Sequence, residues 1–193
     1  MILYFSNMES LDRIKVWNSL SEKSLMYLSG SLKKVSFSKK EIIVSEGQRN
    51  RYTYFVIKGA VRAYVLRDGK YRIAFFAFDG DMATFVPGTT QIISKLTLEA
   101  LEDTTLYRIS NSDIEKLFNE SIELANWGRA LLEKHLIECE HYFTDYFRGD
   151  KSAQYIALIK EYPELLQRVT LKDLADYIDL TPQSLSRIRS KIK

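Results

Sequence analysis

The sequence contains little cysteine and histidine, and this scarcity excludes several kinds of site. Its 193 residues include one Cys and two His. A single cysteine excludes an intramolecular disulfide framework and an iron–sulfur cluster held by several thiolates. Haem sensing stays open on composition alone. However, His135 and His141 are six positions apart on a predicted helix, point in different directions and do not share a metal. We therefore expect no cofactor and no bound metal.

Long apolar runs are also missing, so no stretch has the length of a membrane span. The apolar start, Met1–Phe5, is too short for a signal peptide and lacks its basic flank. Hydrophobic residues make up 46% of the chain and charged residues 27%, which is typical of a soluble globular protein. We expect a cytoplasmic protein that does not contact a membrane.

Short β-rich runs alternate with turn signals between residues 35 and 109. The runs are residues 41–44, 54–57, 60–66, 71–78, 96–101 and 105–109. Asp68-Gly69 between two of them predicts a hairpin, because both residues accept positive φ. Many short strands with regular turns indicate a sandwich or barrel. A metal-oxygenase barrel would need two or three His within its strands, and no Ser/His/Asp set is found either, so we expect no enzyme.

Helical patterns occupy the rest of the chain, including the start up to about Leu32, where Ser21 resembles an N-cap, and a short helix capped near Ser110. The longest predicted helix, residues 122–147, carries two apolar stripes. The first has the spacing of a coiled-coil seam and consists of Ala125, Gly128, Leu132, Leu136, Cys139, Phe143 and Tyr146. The second consists of Leu124, Trp127, Leu131, His135 and Tyr142. Such a helix can bury one stripe on its own domain and one on a second copy; the alternative is a helix buried inside one domain.

The C-terminal stretch predicts two short helices joined by a tight turn. The first spans about residues 171–177; Thr181 then caps the second, and Pro182 suits its first turn. The second helix buries Leu185, Ile188 and Ile192 at helical spacing. This is the layout of a helix-turn-helix, whose second helix lies in the DNA major groove. Residues 181–193 contain four basic and no acidic residues, which favours contact with phosphates.

The order of these parts resembles the Crp/Fnr superfamily of transcription regulators. The resemblance rests on the segments FSKKEIIVSEGQ, YTYFVIKGAVRAYVLRDGK, GDMATF, LTLEALEDTTLYRIS and TPQSLSRIRSKI. It implies an α+β fold in three parts. These are a cyclic-nucleotide-binding-like β-roll sensor domain over residues 1–118, a long dimerisation helix over 119–147, and an all-α helix-turn-helix domain over 148–193 with little or no wing.

The resemblance also implies a DNA-reading function and its residues. Gln183, Ser184 and Arg187 would face base edges, since Gln suits adenine and Arg suits guanine. Thr181, Arg189 and Lys191 would contact phosphates. The implied partners are double-stranded DNA on a near-palindromic site and a second copy of the chain, with RNA polymerase as a further candidate. The alternative is a ligand-binding or protein-interaction module that has lost sequence-specific DNA binding.

On the same resemblance, we expect that the effector, if there is one, is not cAMP. Cyclic-nucleotide-binding members carry a Gly-Glu pair for the ribose and an Arg-Ser pair for the phosphate, where this chain has Thr84-Phe85 and Ser94-Lys95. A phenyl ring cannot accept a hydrogen bond from the ribose hydroxyl, and Lys lacks the bidentate fork of Arg. The candidates for an effector pocket are Arg62, Phe76, Phe85, Thr89, Thr90, Ser94 and Lys95, and the effector itself stays unknown.

Overall fold

The fold combines antiparallel strands with helices on both sides, as a computed structural model shows for residues 20–84, 92–147 and 150–191. The strands are β1 Lys33–Phe37, β2 Ile42–Val44, β3 Arg49–Asn50, β4 Tyr52–Lys58, β5 Val61–Arg67, β6 Lys70–Ala77, β7 Ile92–Ile93, β8 Thr97–Ala100 and β9 Thr104–Ser110. The helices are α1 Glu22–Ser29, α2 Asn111–Glu120, α3 Ile122–Phe147, α4 Lys151–Glu161, α5 Leu165–Arg168, α6 Leu171–Tyr177 and α7 Pro182–Lys191. The helix expected before Ser19 lies outside the described residues.

Two sheets pack face to face and form the roll. The first sheet has the strand order β1-β9-β4, the second has the order β2-β8-β5-β6, and β3 and β7 form a short separate pair. All of these pairings are antiparallel. Buried side chains of both sheets share one core cluster, to which Val56, Val61, Leu98 and Leu106 belong. The predicted α+β fold with a β-roll is confirmed.

The hairpin between β5 and β6 turns at the predicted dipeptide. Asp68 has φ 52° and Gly69 has φ 72°, the left-handed conformation that two-residue hairpin loops require. Strand β1, with the polar sequence Lys-Lys-Val-Ser-Phe, was not predicted. It is an edge strand that pairs only with β9 within the described sheets, so its strand conformation depends on a partner some 70 residues away in sequence.

Strand β4 is buried on both faces, which explains its unbroken apolar run. Tyr54 and Val56 face the second sheet, whereas Phe55 and Ile57 alternate with them and face the other way. There they pack against α1, α2 and α3 in a second core cluster. The first sheet therefore lies between the roll interior and a helical layer.

The outer face of the second sheet is covered by the C-terminal helices. A third cluster joins both parts of the chain and contains Ala60, Phe78, Tyr155, Leu165, Val169, Leu174, Ala175, Ile178 and Leu185. Ala60 and Phe78 flank β5 and β6, while the other members come from α4 to α7 and their connections. We call this group the C-terminal cluster. It fixes the predicted helix-turn-helix on the roll by apolar contact.

The long helix α3 has two different faces. Leu124 is fully buried and Trp127 nearly so, and both pack against the first sheet. On the seam stripe, Leu132 and Leu136 are exposed by 40% and 68%. Gly128, predicted for the same seam, is instead buried, and a Cβ placed there would lie 2.4 Å from Cζ of Phe118. Gly128 therefore lies at the contact between α2 and α3 within one chain, and its place in an intermolecular seam stays a prediction.

No helix in the described ranges is both long and apolar enough to cross a membrane.

Candidate nucleic-acid interface

Local hydrogen bonds define the first helix of the helix-turn-helix and its turn. The N–H of Asp173 donates to Oγ1 of Thr170 (3.0 Å), and that hydroxyl donates to Oδ2 of Asp173 (2.7 Å), a reciprocal cap at the start of α6. The helix ends at Tyr177, and Asp179, two positions further on, has φ 55°. The N–H of Leu180 then donates to the carbonyl of Ala175 (2.9 Å), closing the helix end as a left-handed residue allows.

The second helix, α7, begins as the sequence predicts. The hydroxyl of Thr181 accepts from the N–H of Ser184 (3.1 Å), so Thr181 is the N-cap. Leu185 is completely buried in the C-terminal cluster, beside Leu174 and Ile178 of the preceding helix and turn. Burying one such leucine stabilises by about 1.5–3 kcal/mol relative to leaving it in water. The cap and this apolar contact together fix how α7 lies on the domain.

The outward face of α7 is polar and basic. Gln183 and Arg187 are both exposed and lie four residues apart, so they share one helix face. Ser190 continues the stripe, with its hydroxyl donating to the carbonyl of Arg187 (2.8 Å). Ser190 was not predicted as a contact residue from the sequence, although its i, i+3 spacing from Arg187 places it on the same helix face. Gln183 and Arg187, whose side chains can hydrogen-bond to base edges, therefore lie next to each other on the exposed face of α7.

The other predicted contact residues of α7 lie around this face. The hydroxyl of Ser184 is 2.9 Å from that of Thr181, so it is engaged in the cap as well as partly exposed. Arg189 lies two positions beyond Arg187 and hence on a different side, as a phosphate contact would. Within the described chain Arg187, Arg189 and Lys191 form no ion pair, which leaves their charges available.

Acidic residues near the interface are neutralised by arginines of the roll. Asp173 pairs with Arg62 of β5, and Asp179 pairs with Arg72 of β6. These pairs join residues more than 100 positions apart in sequence, and both carboxylates belong to α6 or its turn. Phosphates approaching the two helices thus meet less negative charge than the sequence alone would indicate.

Arg62 is the centre of the contact between the roll and the helix-turn-helix. Besides Asp173, its Nη2 donates to Oε1 of Glu99 (2.9 Å), and its guanidinium lies 5.0 Å from the rings of Tyr64 and Tyr71. Burial lowers the pKa of Arg62, but Asp173 and Glu99 outweigh that effect, so the pKa is raised overall. Burial, together with the hydrogen bond to Glu99, raises the pKa of Tyr64 to about 12.

A second bridge lies at the other end of the same contact. Arg168 is the last residue of α5 and pairs with both Asp79 and Glu102 of the roll, while its guanidinium lies over the ring of Phe78. Burial would raise the pKa of Asp79, but Arg168 and the N–H of Gly59 lower it below its ordinary value. Two arginines, one from each part of the chain, therefore connect the roll to the C-terminal helices.

Of the described effector-pocket candidates, Arg62 and Phe76 are directly opposite each other in β5 and β6, whereas Ser94 and Lys95 lie elsewhere. Arg62 and Phe76 lie on the outer face of the second sheet because Val61 and Ala63, which alternate with Arg62, face the roll interior. Phe76 contacts Tyr177 of α6, with ring centroids 5.4 Å apart. Both residues therefore lie at the contact between the roll and the C-terminal helices, and their role in an effector pocket stays a prediction.

The remaining candidates lie elsewhere. The N–H of Ser94 donates to the carbonyl of Gln48, and the carbonyl of Ser94 accepts from the N–H of Gly47. The hydroxyl of Ser94 donates to the carbonyl of Leu96 (2.6 Å). Lys95, the next residue, is exposed. Phe85, Thr89 and Thr90 lie outside the described residues. In the described ranges no group of three or more His, Cys, Asp or Glu could hold a metal ion.

Comparison with known proteins defines the class first. Residues 34–121 match the family described as cyclic nucleotide-binding domain. The chain is 28% identical over 156 residues to the nitrogen fixation regulation protein FixK of Rhizobium meliloti (strain 1021), covering 78% of this chain and 71% of that protein. The architecture is thus a cyclic-nucleotide-binding-type roll joined to a helix-turn-helix.

Solved structures narrow the assignment. FixK2 from Bradyrhizobium japonicum is 25% identical with a TM-score of 0.74, over 83% of this chain and 84% of that one. A regulator of the Crp/Fnr family from Eubacterium rectale has the same fold, with a TM-score of 0.68 at 19% identity over 90% and 84% of the two chains. The resemblance found in the sequence is confirmed: residues 34–121 match the cyclic nucleotide-binding domain, and the chain is similar to transcription regulators of the Crp/Fnr type in sequence and in fold.

Proposed function

We propose that this protein is a homodimeric transcription regulator that reads a near-palindromic DNA site with α7. The observation that carries the proposal is the exposed face of a capped helix on which Gln183 and Arg187 lie side by side, flanked by cations without acidic partners in the described chain. Gln reads adenine and Arg reads guanine through paired hydrogen bonds. Arg189, Lys191 and Thr181 supply phosphate contacts that position the helix.

A second copy of the chain is needed for a near-palindromic site. The exposed Leu132 and Leu136 on α3 provide an apolar stripe that one chain leaves in water, while the opposite stripe packs on the roll. Two copies joined there would present two α7 helices, and these would enter successive major grooves about 34 Å apart. RNA polymerase stays a candidate partner, and no enzymatic role is proposed.

The test is selection of bound duplexes from a random DNA pool, followed by binding titrations with the selected site. Arg187→Ala should weaken binding by about 1–3 kcal/mol and relax the preference at one base pair. Lys191→Ala should weaken binding to all sequences alike and lower the slope of log K against log salt by about 1. The matched control is Arg67→Ala, which removes an exposed arginine of the roll that pairs with Glu46. It should change neither the affinity for DNA nor the preference for any base pair.

The alternative function makes the opposite prediction. A module that has lost sequence-specific DNA binding would enrich no sequence from the random DNA pool. Gln183→Ala and Arg187→Ala would then leave its affinity for DNA unchanged. That result would overturn the proposal.

A further inference from the structure

Arg108 lies on the inner face of the first sheet, beside the core between the two sheets. It follows Leu106 by two positions in β9, and Leu106 is a member of that core. Tyr54, another core residue, is directly opposite Arg108 in β4. The guanidinium carbon of Arg108 is 4.5 Å from the ring centroid of Tyr52. The side chain therefore points toward one end of the roll interior and away from the helical layer.

The charge of Arg108 has no carboxylate partner in the described part of the chain. Its Nε is buried and makes no hydrogen bond. Other arginines of the fold, Arg62, Arg72 and Arg168, each pair with at least one Asp or Glu. A buried donor without an acceptor lowers stability unless a ligand or an ordered water provides one. The guanidinium of Arg108 acts on the phenol of Tyr54 through a hydrogen bond and its charge, but its buried Nε donor has no acceptor and its charge has no described carboxylate partner.

A second cation stands next to Arg108 on the same face. Lys33 in β1 is directly opposite Arg108 across the antiparallel pair, where Cβ atoms are about 5 Å apart. Lys33 is exposed and forms no ion pair with described residues. Like charges directly opposite each other destabilise a sheet. An anion bound between the two would remove this repulsion and satisfy the guanidinium donors.

We propose that Lys33 and Arg108 form a binding subsite for the anionic group, phosphate or carboxylate, of a small-molecule effector, with Tyr52 as its aromatic wall. Burial raises the pKa of Tyr54 by more than the neighbouring Arg108 lowers it, so the phenol next to the subsite stays neutral and does not repel an anion. This subsite lies on the inner face of the first sheet, whereas Arg62 and Phe76 lie on the outer face of the second sheet. Anion binding at this subsite does not depend on whether α7 binds DNA. The experiment that tests it therefore uses no DNA.

The test measures the thermal unfolding midpoint of the full chain against the concentration of inorganic phosphate, and separately of acetate, with sodium chloride adjusted to constant ionic strength. A ligand that binds the folded state raises the midpoint as its concentration exceeds the dissociation constant. Arg108→Met should weaken the apparent affinity by about tenfold or more, and Lys33→Met by several-fold. Lys34→Met is the matched control: it removes the same charge from the same strand, but it is opposite Tyr107, whose ring faces the helical layer.

A response to phosphate alone assigns the subsite to phosphate groups, and a response to acetate as well extends it to carboxylates. The proposal is overturned if neither anion raises the midpoint of the unmodified protein. It is also overturned if Lys33→Met and Lys34→Met weaken the response equally, a comparison that remains decisive should Arg108→Met fail to fold.

Discussion

Replacement of Arg62 by Met tests how strongly the roll holds the helix-turn-helix. The side chain of Arg62 is 13% exposed, and those of its partners Glu99 and Asp173 are 9% and 8% exposed. Met retains much of the aliphatic stem but removes the cation, so two nearly buried carboxylates lose their partner. Breaking a buried ion pair in this way typically costs about 3–5 kcal/mol. Because Asp173 also keeps its bond to Thr170, we expect a loss near the lower limit, about 3 kcal/mol.

The assay is urea unfolding followed by circular dichroism, with Arg67→Met as the control. Arg67 belongs to the same strand and pairs with Glu46, but its side chain is 58% exposed, so its loss should cost at most about 1 kcal/mol. At a typical slope of about 2–3 kcal/mol per molar urea, Arg62→Met should lower the midpoint by about 1 M or more. A double-mutant cycle with Asp173→Asn should show a coupling of at least about 1 kcal/mol. If both arginine variants unfold at the same urea concentration, or if the cycle shows no coupling, the buried network does not hold the domain.

Three further predictions concern association, pH and backbone conformation. Leu136→Glu, which places a charge on the exposed stripe of α3, should shift the protein to monomers in sedimentation velocity while leaving its circular dichroism unchanged; an unchanged sedimentation coefficient would contradict the seam. The lowered pKa of Asp79 means that its pairing with Arg168 stabilises the fold above the ordinary value of 3.8, and that this stability is lost as pH falls through the lower folded-state pKa. Asp79→Asn should therefore reduce the loss of stability below about pH 4 in acid titrations, and equal acid sensitivity would refute it. Gly59→Ala should cost about 3 kcal/mol or more in thermal unfolding, since Gly59 has φ 117° and a Cβ would lie 2.7 Å from Cα of Thr104; a near-neutral result would refute that reasoning.

Local chemistry made much of this fold predictable. The caps at Ser110 and Thr181 and the Asp68-Gly69 turn depend on residues within three positions of each other, so their signals are complete in a short window. The bounds of α3 likewise follow from a sustained helical period. The same local reasoning placed Gln183 and Arg187 on the exposed face of α7.

Contacts between distant residues were decided only by the tertiary structure. Arg62 was predicted to line an effector pocket, but strand alternation turns it outward, and its partner Asp173 is 111 positions away. Lys33 and Arg108 are opposite each other only because the edge strand β1 pairs with β9. Gly128 matched a seam pattern that does not distinguish contact with a second copy from contact with Phe118 of the same chain. Periodicity in a sequence determines which side chains share a face, whereas the packing of whole elements determines what each face contacts.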